Sequence, residues 1–292
     1  MASVALSRPA PTLKRPAGGR PWLYLAALGY ALFILAPVVY MALVALQPTA
    51  IAGTEIIPSE WHPQTFLEIW TEVDLAIFMR NSVIIACATG VSSSVFALAA
   101  GYVVARFRFR FRQVFRISLL ATHTVPGILL LLPLYVLYVI VQNFIAVRIV
   151  GTYWGVVLTY MTFGLPFAIW LLSVYIVNLP VELEEQALVD GCRQEQVLRW
   201  ITFPLAVPGM VVTFVFTFLL AWNDVLFASV LTNAHTRTLG VGLQNYVSEN
   251  YGLPQWNDVM AASMVSALPA VILFLLVQRY IVAGLASGSV KG

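Results

Sequence analysis

Lysine is almost missing from this chain. Among 292 residues only Lys14 and Lys291 are lysines, and neither follows a glycine. A nucleotide-hydrolysing phosphate loop needs a G-K-[ST] run, so ATP chemistry of that kind is excluded. Histidine is nearly as scarce. His62, His123 and His235 are scattered, with no H-E-x-x-H pattern and no cysteine cluster. That removes the usual metal-hydrolase signatures, and with no nucleophile-and-base motif it argues against a membrane enzyme. The two cysteines are Cys87, in an apolar run, and Cys192, in a polar one. This placement gives no reason to expect a disulfide. Charge of either sign is short, at 10% of residues against about a quarter in an ordinary soluble domain. A formal net charge of +3 is too mild to suggest nucleic acid as a partner.

What fills the chain is apolar, at 60% of residues. A soluble fold of this length has too little interior to hide that surface, so the bulk must face lipid. A bilayer core of about 30 Å is crossed by about 20 helical residues. Six windows qualify: Trp22–Leu46, Asn81–Ala105, Ile117–Val141, Gly151–Val177, Leu205–Leu231 and Val259–Leu285. The first follows a basic, proline-containing leader over 1–21 and is too long for a signal-peptide core of about 7–15 residues. With the N-terminus taken as cytoplasmic, 13 of the 16 Lys and Arg fall inside; only Arg80, Arg148 and Arg237 fall outside. This bias predicts both termini in the cytoplasm.

Two segments between spans are informative. Gln47–Met79 carries Glu55, Glu60, Glu68, Glu72 and Asp74 with Trp61 and Trp70. It suits either an outer, partly helical cap that touches a partner or a solvated loop with interfacial tryptophans. The alternation Arg106-Phe-Arg-Phe-Arg-Phe-Arg112 follows a span directly. It is expected to anchor the membrane surface, phenylalanines in the interface and arginines at lipid phosphates.

Leu179–Pro204, between spans four and five, is a long polar insertion, LPVELEEQALVDGCRQEQVLRWITFP. Pro180 can open a helix, and Glu182, Glu184 and Glu185 then sit where the helix dipole favours acids. Leu183, Ala187 and Leu188 share one face at helical spacing. Gly191 can end this helix. A second short helix is expected over about Arg193–Ile201. Surface helices that lie on lipid are usually basic, so an acidic one points to a protein partner.

This segment resembles the EAA motif of ABC importer permeases: E-A-A, three residues, G, nine residues, I-x-L-P. Glu185, Ala187, Gly191, Ile201 and Pro204 fall at those spacings, while Gln186 and Phe203 depart from the pattern. Pro126 and Pro133-Leu134-Tyr135, Leu165-Pro166-Phe167-Ala168 and Trp222-Asn223-Asp224 resemble further stretches of the carbohydrate group, and the C-terminal residues resemble its maltose-type tail. The resemblance implies an all-α integral membrane protein with six transmembrane helices, a type I ABC importer permease fold whose coupling helix is cytoplasmic. Spans would fill 22–285, with a tail at 286–292. The coupling set would be Glu184, Glu185, Ala187, Asp190, Gly191, Ile201 and Pro204, with Glu185, Ala187, Asp190 and Gly191 at the contact. Ser289 and Lys291 would reach the ATPase through the tail. Implied partners are a second homologous permease, two ATPase subunits, an extracytoplasmic sugar-binding protein and membrane lipid. No cofactor is implied on this chain; ATP and Mg would sit on the ATPase. The implied location is a bacterial inner membrane.

Polar residues near the prolines are candidates for a translocation path: His123, Thr124, Tyr160, Asn223 and Asp224. His123 has a plainer alternative, a hydrogen bond to a neighbouring helix. Asp224 is either an acid at membrane depth or one in water at the outer end of span five. In some maltose-type pairs the sugar site lies mostly in the companion permease, which would leave gating residues here. An ion-coupled secondary transporter of a small polar solute is the alternative function; it would need paired charges at membrane depth, and the spans are nearly bare of them.

Overall fold

The computed structural model describes residues 21–249 and 255–288, so Ser289, Lys291 and the leader before Pro21 lie outside it. The described residues contain helices and no strands. In chain order they are α1 (Pro21–Ala45), α2 (Thr65–Glu72), α3 (Leu75–Arg106), α4 (Arg112–Ala121), α5 (Gly127–Ile145) and α6 (Tyr153–Val177). There follow α7 (Glu182–Val189), α8 (Gln194–Val197), α9 (Phe203–Asn223), α10 (Leu226–Leu231), α11 (Leu239–Glu249) and α12 (Trp256–Gly288). Six stretches are long and apolar enough to span a bilayer: α1, α3, α5, α6, the continuous run Gln194–Asn223, and α12.

Helices α3, α6 and α9 pack against one another and form the core. Small residues let them approach, as expected where lipid supplies no hydrophobic drive between helices. A Cβ on Gly101 would stand 3.2 Å from the backbone nitrogen of Ser173, so α3 and α6 meet almost backbone to backbone there. Ser94 donates to the carbonyl of Gly90 and reaches that of Met210 on α9. By contrast almost nothing of α1 and α5 is buried. Leu129, Leu132 and Phe144 of α5 are among many exposed apolar side chains.

Two of the expected spans are interrupted. The third, expected as Ile117–Val141, is α4 and α5 separated by a 3₁₀ turn at Thr122–Thr124 and the extended residues Val125 and Pro126. Proline disfavours helical geometry in the residue before it, and Val125 is extended with ψ 121°. The fifth, expected to run to Leu231, stops at Asn223; Asp224 is extended with ψ 132°, and α10 continues the path. The separate helix expected at Arg193–Ile201 is not separate. Residues Gln194–Val197 pass through a π-helical stretch, Leu198–Thr202, straight into α9. Pro204 is the second residue of α9, just past the π-helical stretch. At the far end α12 continues three residues beyond Leu285.

Candidate functional site

The two broken spans meet. Thr122, His123 and Val125 from one break, and Asn223, Asp224 and Phe227 from the other, line a cavity of about 310 Å³ with Tyr160 and Phe163 of α6. Broken helices survive at membrane depth only where protein or a wet cavity satisfies the freed backbone groups. Asp224 does part of this. Its Oδ2 accepts the backbone N–H groups of Phe227 and Ala228 at 3.0 and 3.1 Å, capping α10, and the hydroxyl of Tyr160 at 2.8 Å. Tyr160 lies seven residues into α6, about 10 Å from its start at 1.5 Å per residue. Asp224 is half-buried and forms part of the wall of this pocket.

His123, Tyr160, Asn223 and Asp224 are thus brought together as the sequence suggested, while Thr124 is not part of this wall. His123 makes no hydrogen bond to a neighbouring helix among the described residues. Its ring meets Phe167 and Phe216 edge-on, with centroids at 5.2 and 6.3 Å. The rings of Phe163 and Phe227 lie 4.7 Å apart beside the carboxylate and hydroxyl. Aromatic faces beside hydroxyl, amide, imidazole and carboxylate groups suit a polyhydroxylated solute. Sequence reasoning did not pick out Phe163 or Phe227, because an apolar residue in an apolar span carries no signal of its own.

At the opposite end of the bundle α7 projects from the spans. Its outward side carries Glu185, Gln186, Val189 and Asp190 around a surface hollow. Val189 is 87% exposed. Gly191 follows in the left-handed region at φ 89°, with the Cys192 and Gly191 N–H groups bonded back to the carbonyls of Ala187 and Leu188. This is a Schellman termination, and it explains the glycine in terms of this chain alone. Ile201 is half-buried and Pro204 exposed.

Glu184 and Ala187 face the other way and are buried. Glu184 is buried, and its carboxylate takes Arg106 Nε and Nη2 at 2.9 to 3.1 Å. Thr202 donates to it at 3.1 Å and Tyr102 at 3.4 Å. Arg106 also donates to the Leu179 carbonyl, and Gln194 to the Tyr102 hydroxyl. One carboxylate therefore ties α7 to the end of α3 and to the run entering α9. Arg106, paired with Glu184, is not the lipid anchor that the sequence suggested, while Arg112 donates to the Val104 and Ala105 carbonyls at the end of α3.

The chain matches the family described as the binding-protein-dependent transport system inner membrane component over residues 95–287. This protein is a member of that family. It is 34% identical to the inner membrane ABC transporter permease protein YcjP of Escherichia coli over 85% of each chain. It is 33% identical to the diacetylchitobiose uptake system permease protein DasC of Streptomyces coelicolor, over 96% of this chain and all of that one. With the trehalose/maltose transport system permease protein MalG of Thermococcus litoralis it shares 31% over 92% and 96% of the two. Among solved structures it resembles a chain of a bacterial ABC transporter that imports the acidic polysaccharide alginate: TM-score 0.76, 19% identity, covering 91% of this chain and 99% of that one. At that identity the likeness bears on fold. The family consists of transport-system membrane components rather than enzymes, and nothing favours the ion-coupled alternative.

Proposed function

We propose that this protein is a permease subunit of an ATP-driven sugar importer, with α7 lodged in a separate ATPase and both termini cytoplasmic. The observation that carries the reading is the two-sided α7: an exposed edge of Val189 flanked by acids, and a buried Glu184 that grips the end of α3 and the run entering α9. Closure of the ATPase around that edge moves the span ends, and alternating access follows. The cavity between the broken spans is this chain's share of the pathway, with Tyr160, Asn223, Asp224 and His123 meeting sugar hydroxyls. The other share comes from a second, homologous permease seated against exposed span surfaces. ATP and Mg belong to a pair of ATPase subunits. A sugar-binding protein delivers cargo at the end of the bundle away from α7, where Ile56, Ile57, Trp61 and Leu67 stand exposed. The names of the relatives, which concern diacetylchitobiose, trehalose and maltose, support an oligosaccharide or disaccharide as cargo.

The test is uptake of a labelled disaccharide into vesicles holding the chain with its companion permease, ATPase and binding protein. Accumulation is expected only with ATP and the binding protein together, and Tyr160→Phe is expected to slow it. Accumulation driven by a proton or sodium gradient without ATP overturns the proposal.

A further inference from the structure

The α7 end of the bundle holds a second, differently built hollow. The C-termini of α3 and α6 flank a cleft of about 630 Å³ whose wall includes Arg106, Arg108, Arg112, Asn178 and Glu182. Arg106 is neutralised by Glu184. Arg108 and Arg112 face no carboxylate within ion-pair distance among the described residues, so two positive charges stand against the single acid Glu182. Helix C-termini ordinarily repel anions. Here the last carbonyls are covered: Arg112 donates to those of Val104 and Ala105, and Asn178 to that of Val174. Next to the cleft Phe107, Phe109 and Phe111 are exposed. Such rings sit well at the boundary between acyl chains and headgroups.

We propose that this cleft binds the phosphate of an anionic phospholipid headgroup. Arg108 supplies the free charge and Arg112 the second one, while the acyl chains run over the phenylalanines. Inorganic phosphate would meet the same guanidinium groups but leave the rings uncovered, so the lipid is the ligand the whole surface fits. The site is independent of what the protein transports.

The purified full chain in detergent is titrated with phosphatidylglycerol and with phosphatidylcholine of equal acyl length, and bound lipid is read by native mass spectrometry. Phosphatidylglycerol is expected to be retained in preference. Arg108→Gln is expected to weaken it about fivefold, the effect of one cationic contact near a headgroup. Arg110 serves as the control, since its guanidinium lies over the Phe111 ring and outside the cleft wall. Arg110→Gln removes the same charge and is expected to change retention by less than about twofold. Equal losses in the two variants, no preference for phosphatidylglycerol, or displacement by equimolar inorganic phosphate overturns the proposal.

Discussion

Glu184 and Arg106 are separated by 78 positions, yet their side chains are only 7% and 12% exposed and meet in a forked pair. Removing one member of a buried ion pair strands the other, at a cost of about 3–5 kcal/mol. Glu184→Gln is therefore expected to lower the melting temperature of the purified chain markedly. Glu185→Gln, one residue along but exposed, is expected to stay within about 0.5 kcal/mol of the parent. The double change Arg106→Met with Glu184→Leu is expected to recover much of the loss, because no charge is left unpaired. Equal melting of Glu184→Gln and Glu185→Gln would show that the pair does not hold α7. This pair was not legible in the sequence. Arg106 is one of five arginines within eleven residues, and nothing in their spacing distinguishes the one that turns inward. Asp224 was legible as a candidate because a carboxylate beside a span is rare; its partner Tyr160 was legible for the same reason of polarity.

Among the elements, α7 was the most readable, since acids in its first turn, a proline before it and a glycine after it all mark helix ends. Its handedness of use was not, because which side faces the spans depends on residues distant in sequence. The breaks in spans three and five were not legible: Ile117–Val141 and Leu205–Leu231 each read as one continuous window. Pro133, Pro166, Pro208 and Pro269 lie inside continuous helices, whereas Pro126 interrupts one. At that break Thr122, His123 and Val125 line a cavity, which a local pattern does not encode. The two ends of α7 make separable predictions. Gly191→Ala places a Cβ in open space but at φ 89°, and is expected to cost about 1–2 kcal/mol of stability. Val189→Asp, on the exposed edge, is expected to leave melting unchanged and to abolish stimulation of the partner ATPase in reconstituted vesicles. Full stimulation by Val189→Asp would remove that edge from the contact.

For the molecule as a whole, the number of spans was legible because hydropathy needs no tertiary information, and the proposed orientation rests on 13 basic residues against three. The native cysteines test that orientation. Cys192 follows Gly191 at the tip of the α7 segment and is half-exposed, while Cys87 lies within α3. A membrane-impermeant maleimide is expected to label Cys192 in inverted vesicles and not in right-side-out ones. Labelling in right-side-out vesicles would reverse the topology. The forked grip of Glu184 also constrains how such proteins can be recombined. Grafting α7 alone from a relative, in order to borrow that relative's motor, would drop an unmatched helix onto Arg106, Tyr102 and Thr202. A chimera is expected to remain functional only when the ends of α3 and the entry to α9 travel with the graft, so the exchangeable module is a three-part knot scattered along the chain.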